Sequence, residues 1–334
     1  MMTDNKVKGL SIFQRLLISY LFVGIFILSC SLVAYFIHER RVIRQEVERE
    51  FETYLRSSVN YFNRAYTSRI NDDLSLIEIG PSINDYLSSR REDLLLNKSR
   101  IEQIFLHFTG KKESIYLSMR FIDPAGAERV ITAGNRRQKN YTSLITHPDE
   151  PLYTHIYSLF RKLRSSRPRT ILVEGPFAYQ GAYTFLAGIA KTEPEVGGFG
   201  GAVILHCDLT DYFSYLKGYT QYKEYVASVL THDGKLLYSP VEEKAALLSG
   251  RLQKQKFRPV NFYSISKMIT LGSDNRPLFL VMFSAPPYIF RVLLTDTIKD
   301  SLIFIFGIMI ILVLLAVRIS RHIEKAVNLK NSEG

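Results

Sequence analysis

The chain has 334 residues, a formal net charge of +11, 46% hydrophobic residues, two cysteines and no tryptophan. Its 21 Phe and 20 Tyr supply a sizeable core, which excludes a largely disordered chain. Two cysteines exclude a disulfide scaffold and most thiolate metal sites.

Leu16 to Ile37 carries no charge and is long enough to cross a hydrocarbon core of roughly 30 Å as a helix. The expectation is a cytoplasmic tail over 1–15 and a transmembrane helix over 16–37. The block lacks an Ala-x-Ala cleavage site and runs directly into a helical pattern, so it reads as an uncleaved anchor.

From Gly24 to Gly80 there is neither Gly nor Pro. Ile43, Val47, Phe51, Leu55, Val59, Phe62, Tyr66, Ile70, Leu74 and Ile77 recur at steps of three and four, the single apolar face of one helix. This predicts a juxtamembrane stalk over 38–80, about 60 Å long, ended by Gly80-Pro81. Dimerisation through this helix is expected.

Helical spacing follows over Ser82–Ser89 and Arg91–Phe108, and then strands dominate. Ser114–Ile122 and Glu128–Thr132 form a hairpin around Asp123-Pro124-Ala125-Gly126, a turn with suitable residues. A loop runs to about Asn140, and Pro151–Leu163 is helical. Thr170–Glu174, Tyr183–Ala190 and Ala202–Cys207 are strands. Residues 81–215 thus form a membrane-distal PAS-like module, one antiparallel sheet flanked by helices.

A membrane-proximal PAS-like module over 216–290 follows. It holds the hairpin Tyr225–Leu230 and Lys235–Tyr238 around His232-Asp233-Gly234, and the pair Phe262–Ile269 and Pro277–Phe283. A linking helix over 291–300, a second transmembrane helix over 301–317 and a cytoplasmic tail over 318–334 complete the α+β reading.

Lys6, Lys8, Arg15, Arg318, Arg321, Lys325 and Lys330 lie just outside the two spans and place both termini in the cytoplasm. Arg40, Arg41 and Arg44 front a segment long enough to be exported regardless of charge. The tails carry +4 of the +11, and the remainder is diluted over the exported segment. A nucleic-acid partner is therefore not expected. The location predicted is a bacterial inner membrane, with the main domain periplasmic or extracellular.

Two spans, a long juxtamembrane helix and two PAS-like modules resemble the double Cache (dCache) sensor domain of bacterial receptors. Met119-Arg120-Phe121-Ile122-Asp123-Pro124-Ala125-Gly126-Ala127-Glu128-Arg129-Val130 is similar to the family's R-[YF]-I-D-x-x-G-x-E hairpin. Leu152-Tyr153, Glu174-Gly175-Pro176, Phe185–Ala190, Gly201–Leu209 and Val229–Tyr238 follow the family's order. The likeness covers roughly 38–300. It implies a small-molecule ligand, a homodimer, and a cytoplasmic kinase, cyclase or other signalling partner. Arg318–Val327 could begin a HAMP-like segment, although the family's proline is absent. The resemblance places the ligand on the concave face of the first sheet beneath its covering helix, with Arg120, Tyr153, Tyr183 and Asp208 as lining groups. Arg120 can alternatively pair with Glu128 across the hairpin, and Asp208 can cap the following helix. Amino-acid-binding members carry a Trp-containing motif, so that specificity is not carried over to a chain without Trp.

No catalytic or metal-binding constellation stands out, and no cofactor is implied. The seven histidines lack H-E-x-x-H or H-x-H spacing, and the glycines at 197–201 lack a P-loop ending. His206 and Cys207 are adjacent on a strand and so point to opposite faces. The Arg161–Arg169 cluster reads as a solvated helix end. Two other readings accompany the sensor. One is a membrane-anchored adaptor whose domain only contacts proteins, and the other is an anchored hydrolase. An apolar-filled distal module favours the adaptor, and a polar cavity favours the sensor.

Overall fold

The computed structural model describes residues 12–90, 92–111, 114–134, 136–137, 151–193, 197–220, 225–239, 263–273, 276–285, 306–319 and 321–323, with single positions 295, 299, 303 and 325. Most of the expected 291–300 linking helix, the loop over 138–150 and the span 240–262 lie outside the described residues.

The long glycine-free segment folds as expected. Helix α1 spans Ile12–Phe62. A π-helical stretch, Asn63–Ser68, carries it into α2, Arg69–Ile79. Most steps in the apolar stripe are four residues, longer than the 3.6 of an α-helical turn. The wider i→i+5 turn takes up that excess and keeps Tyr66 on the buried side. Val47, Phe51, Leu55, Phe62, Tyr66, Ile70, Leu74 and Ile77 are all buried. The stripe is thus used within the chain, and a dimer through this helix would need its other face. Gly80 ends α2 in an extended conformation (φ −58°, ψ 139°), not the left-handed one that a C-cap glycine usually adopts. Its Cβ position would lie 3.0 Å from the Leu76 carbonyl oxygen, so the site is tight as well as terminal.

Two helices follow, α3 (Pro81–Leu87) and α4 (Leu94–Thr109). The distal sheet has six strands: β1 (Tyr116–Ile122), β2 (Glu128–Ala133), β3 (Arg136–Arg137), β4 (Ile171–Tyr179), β5 (Ala182–Thr192) and β6 (Phe199–Asp208). Their order is β3-β2-β1-β6-β5-β4, antiparallel where paired. Helix α5, Pro151–Arg164, lies on one face. The opposite face meets the stalk and α3, where Phe185 approaches Tyr66 and Phe121 makes an edge contact with Tyr86. Gly188 permits the close approach of α5, because a Cβ there would sit 2.8 Å from Leu163 Cδ1.

Helix α6, Thr210–Thr220, leads to a four-stranded sheet, β8-β7-β10-β9. Its strands are β7 (Val226–Leu230), β8 (Leu236–Tyr238), β9 (Tyr263–Leu271) and β10 (Arg276–Ala285). Both predicted hairpin tips use a left-handed glycine, Gly126 (φ 86°) and Gly234 (φ 88°). An aromatic layer joins α1, α6 and this sheet: Tyr61 stacks on Tyr215 at 4.0 Å, and Phe62 meets Phe279 edge-on at 5.3 Å. Within it the buried Ser58 and Tyr212 hydroxyls share a 2.6 Å hydrogen bond. The two sheets also touch directly. Ser273, at the β9–β10 turn, donates its backbone N–H to the Ile171 carbonyl, and its Oγ accepts from the Ile171 N–H.

Residues 50–286 form one compact unit, and residues 1–49 with 287–334 form another. The second unit holds α7, Phe306–Ile323. Both α1 and α7 are long and apolar enough to cross a membrane. Their apolar side chains are largely exposed, as at Phe22 and Leu314. Within that unit Gly24 faces Leu312, and a cavity of about 320 Å³ between the helices has a lining that is almost wholly apolar.

Candidate ligand site

Strand pairing decides which side chains share the α5 face. Arg120 lies opposite Ile204, and Ser118 opposite His206. His206 lies opposite Leu186, and Asp208 opposite Thr184. Side chains alternate along a strand, so Ser118, Arg120, Ile122, Thr184, Leu186, Ala202, Ile204 and His206 all face α5.

This face has two ends. At one, Ile122, Leu186, Ala190, Ala202 and Ile204 pack with Leu152, Ile156, Leu159, Phe160 and Leu163 of α5 into a continuous apolar core. The other end is polar and equally buried. Arg120 Nη1 donates to Glu128 Oε1 at 2.6 Å, with the two side chains 7% and 0% exposed. The Tyr153 hydroxyl donates to Glu128 Oε2 at 3.2 Å, and the guanidinium lies 5.4 Å from the Tyr153 ring centre. Burial disfavours the charged guanidinium, but the Glu128 carboxylate more than offsets it and raises the arginine pKa.

Several polar atoms beside this pair are buried without an answer. Ser118 Oγ, Arg120 Nε, Thr184 Oγ1 and His206 Nε2 have no hydrogen-bond partner among the described residues. Burial, with the Arg120 charge adding, pushes the His206 imidazole down to about 3, so it is neutral at pH 7. Its ring lies nearly parallel to Phe177 at 6.1 Å and edge-on to Tyr179 at 5.1 Å. Phe177 in turn stacks on His155 at 4.0 Å.

Arg120 and Tyr153, of the four residues expected to line this face, meet there around Glu128. Tyr183 does not line it. It precedes Thr184 on β5, so its ring is on the other face, against Phe213 at 5.8 Å. Asp208 is at the margin, where its Oδ1 accepts from both the N–H (2.9 Å) and the Oγ1 hydroxyl (2.7 Å) of Thr210 at the start of α6. Asp208 thus engages the first residue of α6. Glu128, Ser118, Thr184 and His206 are the additional members. Cys207 faces away from His206, is fully buried, and has its thiol pKa pushed well up by burial. Among the described residues no group of His, Cys, Asp or Glu side chains could hold a metal ion.

No protein-family model matches this sequence, and no curated protein does. Solved structures do match. The domain vpHK1S-Z8, described as the extracellular domain of a histidine kinase, aligns over 75% of this chain and 98% of its own, with 18% identity and a TM-score of 0.51. The ligand-binding domain of the Pseudomonas fluorescens chemoreceptor CtaA, in complex with L-serine, aligns over 73% and 98% with 14% identity and a TM-score of 0.47. The sensory domain of the Campylobacter jejuni chemoreceptor Tlp3, with isoleucine bound, aligns over 75% and 97% with 9% identity and a TM-score of 0.48. At such identities the likeness is one of fold. The fold is that of an extracellular sensor domain, in agreement with the double Cache resemblance.

Proposed function

We propose that this chain is a membrane-anchored sensor that takes a small molecule at the polar end of the distal sheet, beneath α5. The observation that carries this reading is the set of orphaned polar atoms: Ser118 Oγ, Arg120 Nε, Thr184 Oγ1 and His206 Nε2 on one buried sheet face. A buried donor or acceptor without a partner costs about 1–3 kcal/mol. Several such groups converging on one face fit a surface completed by a ligand.

The domain scheme read from the sequence belongs to this proposal. The modules over 81–215 and 216–290 lie outside the cytoplasm, and the basic tails stay inside. Occupancy at β1, β5 and β6 would bias the sheet and, through the Ile171–Ser273 contact, the β9–β10 hairpin. Strand β10 precedes α7 in chain order, so the signal would leave by that route to a kinase, cyclase or other partner. A homodimer would align two such exits.

The adaptor reading has one observation in its favour, the apolar core that fills the other end of the same face. A thermal-shift screen of the full chain in detergent micelles against small metabolites separates the two. The sensor predicts a reproducible rise in melting temperature with at least one compound, lost in His206→Leu. A rise that survives His206→Leu, Ser118→Ala and Thr184→Val alike would remove the ligand from this face.

A further inference from the structure

The same orphaned groups impose a requirement on the charge of a ligand, a requirement that rests on the proposed ligand site. The charges at the polar end already answer one another. Arg120 and Glu128 are paired at 2.6 Å, and the second Glu128 oxygen takes the Tyr153 hydroxyl. Asp208 is engaged with the start of α6. Glu174, beside Phe177 on β4, is met by Lys162 and by His155 at 3.8 Å. The His206 imidazole carries no charge at neutral pH.

The groups left over are two hydroxyls, one N–H of an already neutralised guanidinium, and one imidazole nitrogen. A carboxylate or ammonium placed among them would lose its water and meet no counter-charge left over among the described residues. Burying such an ion costs several kcal/mol. An uncharged molecule with donors and acceptors on its edge would answer such groups without that cost.

Strand geometry sets the size. Ser118 and Arg120 are two residues apart on β1, about 7 Å, and His206 stands opposite Ser118 on the neighbouring strand, about 5 Å away, whereas Thr184 lies one strand and two positions further on. Tyr153 and Phe177 border this patch, with Arg120 over the Tyr153 ring and His155 stacked on Phe177.

We infer that the polar end of the distal sheet takes a small, uncharged, hydrogen-bonding molecule and rejects carboxylates and amines. The test is a thermal-shift titration of the full chain in detergent micelles at neutral pH. The neutral probes are uracil, hypoxanthine and nicotinamide. The ionic probes are succinate, putrescine and L-serine.

The expected result is a rise of about 3 °C or more with at least one neutral probe and none with the ionic probes. Ser118→Ala should lose most of that rise. Glu128→Gln leaves the Arg120 charge unanswered and should gain a response to succinate. Should Glu128→Gln fail to fold, the wild-type comparison and Ser118→Ala still decide. A wild-type response to ionic probes alone overturns the charge inference and leaves the ligand site standing. Silence toward both panels overturns the inference and counts equally against the ligand site. A neutral-probe rise undiminished in both Ser118→Ala and Thr184→Val overturns the placement.

Discussion

The two ends of the sheet face beneath α5 are made by the same strands and are buried alike, but they differ in what they leave unsatisfied. At the apolar end, Leu186, Ile204 and Ala202 pack with Leu159, Phe160 and Leu163, and none of these side chains carries a polar group to strand. At the polar end, two strand positions along from Ile204 and Leu186, stand His206 and Thr184, each with a buried atom that the described chain does not answer. The first arrangement is what a fold needs for its own stability. The second lowers stability unless something else completes it. Burial alone does not separate the two ends; the hydrogen-bond partners do.

Substitutions at each end separate the two arrangements. The largest effect is expected at the ion pair. Arg120→Met leaves the Glu128 carboxylate buried and unpaired, and urea unfolding should report a loss of about 3–5 kcal/mol. A loss below about 1 kcal/mol would mean that water reaches the pair. Leu186→Ala, at the apolar end, should cost about 2–5 kcal/mol in the same assay, because α5 cannot close the cavity fully. Gly272→Ala tests the joint between the two sheets. Gly272 has φ 88°, and a Cβ there would lie 2.6 Å from the Ile171 carbonyl oxygen, so a cost of roughly 1–3 kcal/mol is expected. If that joint carries the signal, the substitution should also uncouple ligand binding from hydrogen exchange in β10.

The pH dependence isolates His206. The native imidazole stays unprotonated down to about 3, whereas an unfolded histidine takes up a proton near pH 6.5. Between those values the unfolded chain binds more protons. Stability from this residue is therefore full above about pH 6.5 and falls by about 1.4 kcal/mol per pH unit as the pH drops toward 3. Subtracting the profile of His206→Phe from that of the wild type should yield this slope. An identical slope in both proteins would mean that the native imidazole titrates normally.

Much of this architecture is legible because it rests on local signals. The stalk stripe, the hairpin turns at Asp123–Gly126 and Asp233-Gly234, and the helix over Pro151–Leu163 all follow from spacing and turn residues. The Arg120–Glu128 pairing is readable from the hairpin itself, since both lie on neighbouring strands of a short turn. The facing of β5 is not. Tyr183-Thr184-Phe185-Leu186-Ala187-Gly188-Ile189-Ala190 is nearly apolar throughout, because both sides of a central strand are buried, so no alternation marks which residues look toward α5. Tyr183 is expected on the wrong face for that reason. His206 stays hidden for a related one. Its parity with Arg120 depends on β1 pairing with β6, a contact between residues more than eighty positions apart, with a bulge between Tyr116 and Ser118 that resets the register. The π-helical turn at Asn63–Ser68 leaves a trace in the run of four-residue steps, although its position does not.

Whether the polar end is reserved for a ligand is read from the unliganded melting temperature of Thr184→Val. The substitution keeps the shape of a side chain that is 0% exposed and removes a hydroxyl that has no partner among the described residues. If that hydroxyl is held in reserve for a ligand, the variant should melt at or slightly above the wild type. A variant that melts several degrees lower would contradict the account, because the fold itself would then be using the group.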